Sequence, residues 1–493
     1  MTTEPKLYEQ QLYDIWKNQC FTSELKTRAG EEIKVLDIGT LNVDYSGADF
    51  KNARIRVGNL TYVGDIEIDV DYNNWKSHGH NIDSKYNKVV LHLSYFNKFN
   101  QPFVYSKDGR KINSICLSQF LDENFAKQFG NQIQKSSKTP DNALKCNFFM
   151  ENIARRDKEK FISELGVSRF NKKCGRVYKR LKELKFLDEL NIKEPVIRYD
   201  LSEDFQKRKF THDDFKSREI WEQLLYELLF EALGYSKNKT IMLHLSQSAN
   251  LEFLRKLGDD SEFIERIESA LFNIGGLIPE VDKLPDAETS DYTKGLAEQW
   301  ELLKRIYDGK MFEETQWHFF KLRPQNFPTI RIAGGARLLQ KLMYGNLIEV
   351  MIKKIREIRN LPVLVNSIRS LFVIKSNGFW QNHYIFDKPT NGEIKYFVGA
   401  SRADEMVINV ILPFFSVYFD IFGDEEMSKK ILMTYNIYNQ KAENKIVRDV
   451  AESLNMTSYL KKTVYQQGMI ELFRNFCSKG KCLECSIGKV AFN

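Results

Sequence analysis

NVDYSGADFKNARIRVGNLTYVGDIEIDVDYNNWKSHGHNIDSKYNKVVLH, from Asn42 to His92, is the stretch whose reading decides the fold. Within it, ARIRVGN (Ala53–Asn59) and TYVGDIEIDV (Thr61–Val70) alternate apolar and polar residues as strands do. The Gly58-Asn59 step between them is a hairpin signal. Period-two alternation sends Asp65, Glu67, Asp69 and Asp71 to one face and Ile66, Ile68 and Val70 to the other. Four carboxylates in a row repel one another, and a divalent cation relieves that repulsion. Asp49, which follows Gly47-Ala48, leads into the first of these strands. Past the acidic strand come Trp75, His78, Gly79, His80 and Asp83, and His92 lies on the next strand. Two imidazoles and a carboxylate at this spacing offer nitrogen and oxygen ligands to Zn²⁺ or Mn²⁺. One of the histidines could instead be a general acid or base, or both could cap a loop.

Working outward, Lys6–Gln19 reads as an amphipathic helix through Leu7, Leu12, Ile15 and Trp16, with Glu9 near the same face. Glu32–Ile38 reads as a strand, Asn81–Lys88 as a short helix and Val89–Tyr95 as an apolar strand. Lys107-Asp108-Gly109 marks a further hairpin within Gln101–Ser118. Beyond about residue 120 the periodicity turns helical, over Leu121–Phe129, Asn142–Leu165, Ser168–Leu190 and, most clearly, Phe215–Leu233 closed by Gly234. Helices continue to Phe476, and Val407–Phe422 reads as a buried one. The fold class is α+β: an α/β module over 1–120, in the order helix, three strands, helix, strand, then a large, mostly α-helical region over 121–493. The boundary falls within Leu117–Ser137.

The 493 residues suffice for two or three domains. With 42% hydrophobic and 28% charged residues, the composition is that of a soluble globular protein, and 11 prolines argue against long disordered linkers. A net charge of +7 over this length permits nucleic-acid binding without pointing to it. No signal-peptide pattern opens the chain and no apolar run is long enough for a membrane span, so no membrane contact is expected. Seven cysteines in so long a chain are no disulfide framework, which implies a cytoplasmic protein with reduced thiols.

The element order, with Asp49 ahead of one strand and Glu67 one hairpin later, resembles the core of the PD-(D/E)XK nuclease superfamily. That resemblance implies a restriction-endonuclease-like module in which Asp49 and Glu67 hold a divalent cation, Mg²⁺ or Mn²⁺, beside a scissile phosphate. It further implies Glu9 as the acidic residue that some members carry on the first helix. Two positions depart from the motif: Ala48 stands in place of Pro, and Asp69 in place of Lys. Asp69 then becomes a third ligand, and Lys85 or Lys88 a replacement cation. Over nearly its full length the chain resembles an uncharacterised bacterial family, domain of unknown function 2851. The stretches that carry this are GADFKNARI, GDIEIDVDYNNWKSHGH, YNKVVLHL, LRPQNFPTIRIA (Leu322–Ala333), VINVILP and CSKGKCLECSIGK. The family brings no activity with it.

Three further patterns stand outside the acidic stretch. Cys477, Cys482 and Cys485 form C-x₄-C-x₂-C, spacing that suits zinc or an iron–sulfur cluster, with a fourth ligand to come from Cys20, Cys116, Cys146, Cys174 or a His. The bland alternative is three reduced thiols in a terminal turn. Arg155–Lys185 is rich in Lys and Arg, interleaved with Phe161, Phe170 and Tyr178, which reads either as a phosphate-tracking face or, more often, as a solvated one. Arg323 and Arg331 flank a Pro-x-Asn-Phe-Pro loop and are candidates for phosphate binding, or for packing. Two functional readings follow. One is a metal-dependent nuclease acting on nucleic acid. The other is a non-catalytic nucleic-acid-binding or scaffold protein that keeps the fold without the active site.

Overall fold

The computed structural model describes residues 9–19, 21–27, 30–42, 47–98, 101–121, 144, 146–147, 150, 153–192, 202–258, 260, 262–281, 289–319, 322–440 and 444–492. The chain divides into two compact units, Met1–Asp141 and Asn142–Asn493.

In the first unit, helix α1 (Glu9–Asn18) precedes strands β1 (Leu25–Lys26), β2 (Glu32–Asp37), β3 (Thr40–Leu41), β4 (Phe50–Val57) and β5 (Leu60–Asp71). A one-turn helix α2 (Asn74–Ser77) leads to β6 (Val89–Phe96), β7 (Phe103–Tyr105) and β8 (Lys111–Cys116). One sheet holds all eight strands, in the order β1-β2-β4-β5-β6-β8-β7, with β3 paired to β4. The four strands expected from the sequence therefore lie in a single sheet, and the hairpin at Lys107–Gly109 joins β7 to β8. β2, β4 and β5 run antiparallel, whereas β5, β6 and β8 run parallel.

The two faces of β5 have different tasks. Ile66 and Ile68 pair with Leu91 and Leu93 of β6, and all four are buried with Leu12, Ile15 and Trp16 of α1. Burying each such side chain contributes about 1.5–3 kcal/mol, and the Trp16 indole N–H is satisfied by the Ile38 carbonyl at 3.0 Å. The opposite face carries Asp65, Glu67 and Asp69, which are buried as well. Covering both faces suits the parallel pairing of β5 with β6.

The segment from β5 to β6 departs from the expected short helix over Asn81–Lys88. The helical turn comes earlier, at Asn74–Ser77, and within 81–88 only Ser84–Tyr86 winds, as a 3₁₀ turn capped by the Asp83 carboxylate on the Lys85 N–H. Gly79 separates the two with φ +77°, a conformation that a side chain disfavours.

In the second unit, the helices read as Asn142–Leu165 and Ser168–Leu190 are replaced by one helix, Arg155–Glu189, unbroken at Gly166-Val167. Leu121 ends the described part of its segment, so the helix expected over Leu121–Phe129 lies outside the described residues. Arg218–Leu233 is helical, preceded by a 3₁₀ turn that ends at Phe215. Val407–Ile421 is a largely buried helical run, with a π-turn over Val407–Ile411, and Phe422 beyond its end is exposed. Two small two-stranded sheets, Ile374–Lys375 with Tyr396–Val398 and His383–Ile385 with Lys388–Pro389, were not expected in a helical region. Their strands are two or three residues long, too short for alternation to register. Among the described residues no helix is long and apolar enough to cross a membrane.

Gly64 sits where β6 begins beside β5. A Cβ there would meet the Lys88 carbonyl oxygen and Val90 Cγ1, both at 2.4 Å. Gly64→Ala is expected to cost about 1–3 kcal/mol by forcing the two strands apart, read as a lower denaturation midpoint. An unchanged midpoint would refute this close approach of β5 and β6.

Candidate metal centre

The inner end of the acidic face meets the loop that follows β5. Helix α2 ends at His78, whose N–H bonds the Asn74 carbonyl, and the left-handed turn at Gly79 returns the chain so that the His80 N–H bonds the Trp75 carbonyl at 2.9 Å. Both imidazoles thereby reach Asp69. His78 Nδ1 lies 3.2 Å from Asp69 Oδ1, and His80 Nε2 lies 3.9 Å from Asp69 Oδ2 and 3.0 Å from Glu67 Oε1. Among the described residues, Asp69, His78 and His80 are the one group of three potential metal-ligand side chains whose donor atoms all lie within 4.8 Å of one another.

The third histidine arrives through strand register. His92 of β6 stands opposite Glu67, and Ser114 of β8 stands opposite His92. His92 Nε2 contacts Asp69 Oδ2 at 3.2 Å, and its Nδ1 contacts Ser114 Oγ at 2.9 Å. The rings are held by aromatic neighbours. Trp75 packs against His80 and His92 with centroids 5.3 Å away in both cases, and Tyr86 lies 4.0 Å from His80. Trp75 and Tyr72 are pinned in turn, by bonds to the Tyr105 and Phe103 carbonyls.

Burial and charge oppose each other at Asp69. Burial pushes its carboxyl up. Hydrogen bonds from His78 and His92, with the charges of His92 and His80, outweigh that and hold it well below the usual carboxylate range. Tyr86 moves the other way: burial, with Glu67, Asp49, Asp83 and Asp69 nearby, keeps its phenol protonated far above the ordinary value.

The other carboxylates have separate partners. Asp49 accepts the Tyr13 hydroxyl at 2.5 Å and the Ile68 N–H at 2.9 Å, and its own N–H donates to Glu67 Oε2 at 3.1 Å. Its backbone, rather than its carboxylate, thus meets Glu67, and it fixes the start of β4 to the middle of β5. Asp65 accepts the N–H of Asn52, the left-handed residue (φ +57°) of a bulge in β4. Asp71 caps the following turn through Asn73. The row of four therefore does not act as one cluster; Glu67 and Asp69 remain with the histidines. Glu9 lies in α1, and its side chain is outside the described residues. Lys85 is half-buried and Lys88 exposed.

Elsewhere, Arg331 is buried, bonding the Phe397 carbonyl, Tyr235 and Asn326, whereas Arg323 is exposed. Much of the basic run on Arg155–Glu189 is paired: Arg169 and Lys172 with Glu471, Arg176 with Glu231, and Arg180 with Glu227. Tyr13, Tyr86 and Ser114 were not singled out from the sequence. Tyr13 lies one residue from Leu12 on an apolar helix face, and nothing local marks it as a carboxylate's partner.

Asp69→Asn tests the electrostatics without a metal. A carboxyl whose folded pKa lies below its ordinary 3.8 contributes stability above that value and loses it as pH falls through the lowered one. In chelator, wild-type stability should fall more steeply than that of Asp69→Asn between about pH 5 and pH 2. Parallel curves from denaturant titrations would contradict the depressed pKa.

No curated protein and no solved structure matches the chain. The family model described as "Protein of unknown function (DUF2851)" matches residues 9–191 and 203–445. These spans include the whole acid–histidine cluster and end before CSKGKCLECSIGK, so that stretch of the resemblance falls outside the match. The chain belongs to the DUF2851 family.

Proposed function

We propose that the protein is a metal-dependent phosphodiesterase acting on nucleic acid. The observation that carries this reading is the convergence of Asp69, His78 and His80 beside Glu67. One carboxylate and two imidazoles favour Zn²⁺ or Mn²⁺ over Mg²⁺, which takes oxygen ligands and keeps its waters. This moves the candidate centre one step along β5 from the Asp49–Glu67 pair.

Two arrangements support the reading. First, a helix, three antiparallel strands, a connecting turn and a parallel strand, with Asp49 bonded to Glu67, is what the resemblance to PD-(D/E)XK nucleases implies. Second, the face of β5 that carries the carboxylates continues into a basic stripe. Arg54 pairs with Val63 and Arg56 with both Thr61 and Lys34, which puts Lys34, Arg54 and Arg56 on that same face, all exposed. Glu32, ion-paired with Lys34 at 3.2 Å, and Asp37, opposite Arg54, offset part of this charge, and a polyphosphate backbone would meet the rest.

The residues divide the work as follows. Asp69, His78 and His80 would hold the cation, which supplies an activated water and offsets charge on the phosphate. Glu67 is placed to accept the proton of the attacking water. His92, oriented by Ser114, positions the Asp69 carboxylate. Asp49 and Tyr13 hold Glu67 through the β4–β5 contact.

A second reading, a non-catalytic nucleic-acid-binding or scaffold protein, is favoured by one observation. Glu67, Asp69, His80 and His92 are all at most 1% exposed, and the His78 side chain alone reaches the surface, at 30%.

Calorimetry with Zn²⁺ and Mn²⁺ separates the outcomes. The wild type is expected to bind one ion, and Asp69→Asn to bind it more than about tenfold more weakly, since a ligand is lost. Wild-type protein without affinity, or equal binding by both, contradicts the site. Cleavage of single- or double-stranded DNA or RNA in Mn²⁺, abolished by Glu67→Gln, supports the enzyme. Metal binding without cleavage of any of these supports the second reading.

A further inference from the structure

We infer that Cys146, Cys477, Cys482 and Cys485 together hold an iron–sulfur cluster that ties the turn around Cys146 to the end of the second unit. This site is independent of the acid–histidine centre and lies wholly within Asn142–Asn493.

The chain is shaped to gather these thiols. Helix Thr463–Asn475 runs into a 3₁₀ turn, Cys477–Lys479, and the Lys481 N–H reaches back to the Phe476 carbonyl at 2.9 Å. A second 3₁₀ turn, Cys482–Glu484, follows, and the Cys485 N–H closes it on the Cys482 carbonyl at 3.1 Å. Helix Ser486–Phe492 then begins. Each turn thus opens on a cysteine, and the third cysteine ends the second turn. Cys146 comes from far upstream. The Leu144 N–H bonds Ser453 Oγ at 3.1 Å, and the Asn147 N–H bonds the Leu144 carbonyl at 2.8 Å, which fixes the turn that presents Cys146.

Burial joins the two ends. Cys146 and Cys485 belong to one apolar cluster with Met150, Ile153, Leu472 and Ile487, and Cys477 packs against it. All four thiols are free of disulfides. Cys146, Cys477 and Cys485 thus meet on one apolar surface, and Cys482 opens the turn that Cys485 closes, so one metal group could take all four as thiolates. Backbone N–H groups of Gly488 and Ile487 already donate to the Cys485 sulfur, the kind of support given to metal-bound thiolates.

Among the other upstream candidates, Cys116 lies in the first unit and contacts the Tyr95 carbonyl. Cys174 packs in the larger helical core and bonds Ser416. Cys20 lies outside the described residues. Among the described residues no three cysteine sulfurs form a group within 4.8 Å, so a tetrahedral zinc, which holds its sulfurs about 3.8 Å apart, would have to draw them together, whereas an iron–sulfur cluster spreads its cysteines over several irons.

The test is iron, acid-labile sulfide and zinc analysis, with visible absorption, of full-length protein purified anaerobically. The account expects iron and sulfide in equal amounts, about four of each per chain, a broad visible band, and loss of both in Cys146→Ser while Cys174→Ser retains them. Stoichiometric zinc without sulfide, or no metal at all, overturns the cluster. A Cys146→Ser protein with full iron overturns Cys146 as ligand. If Cys146→Ser is insoluble, thiol alkylation of the wild type decides the ligand. Cys146 should be protected before the cluster is stripped and labelled afterwards. Equal labelling in both states overturns the assignment.

Discussion

The Asp69 carboxylate, buried in contact with three imidazoles, is the interaction on which the first unit depends. A charge that deep is tolerated only when it is paired and hydrogen-bonded. Its partners come from two other pieces of chain: the loop carrying His78 and His80, and His92 on the parallel neighbour. The register of β5 against β6 and the left-handed turn at Gly79 are therefore both coupled to one carboxylate. A one-residue slip of β5 would send Asp69 into the apolar face that α1 covers, and one of β6 would take His92 away from it. Asp49 and Asp65 make the same point at the other side of β5. Each spends its carboxylate on backbone N–H groups, so the acids of this sheet build the framework as well as the centre.

A buried acid–histidine network of this kind is costly to maintain if it holds nothing. Its donors and acceptors are arranged around a point where nitrogen and oxygen atoms converge, which a bound cation would account for, and past Val63 and Thr61 the same face carries Arg54 and Arg56 on the neighbouring strand. In the second unit, Cys146 and Cys485 are buried in one apolar cluster against which Cys477 packs, and a metal would offset the cost of holding thiolates there.

Much of this was legible in the sequence because the first unit follows local rules. Alternation over Ala53–Val57 and Val63–Asp71 reports strands directly, and Gly58-Asn59 reports the hairpin. Asp69, His78 and His80 were visible as chemistry-bearing residues within a dozen positions of one another. Their grouping was less legible. Alternation puts Asp65, Glu67, Asp69 and Asp71 on one face, but it does not say that a bulge at Asn52 claims Asp65 or that a turn claims Asp71. The roles of Tyr13 and Ser114 depend on packing between distant elements, which no local pattern encodes. Periodicity alone gives two helices where one, Arg155–Glu189, runs through Gly166, because packing overrides the local preference there. The choice of Cys146 among the upstream cysteines likewise needed the fold, since every candidate was equally plausible by spacing.

The central claim is that Asp69, His78 and His80 form a metal site. The most direct measurement is an anomalous difference map from a crystal soaked in Mn²⁺. The account predicts a single strong peak bounded by the Asp69 carboxylate and the His78 and His80 rings, with Glu67 adjacent. A map with no peak there, or with manganese only on surface carboxylates such as Asp71, would contradict it.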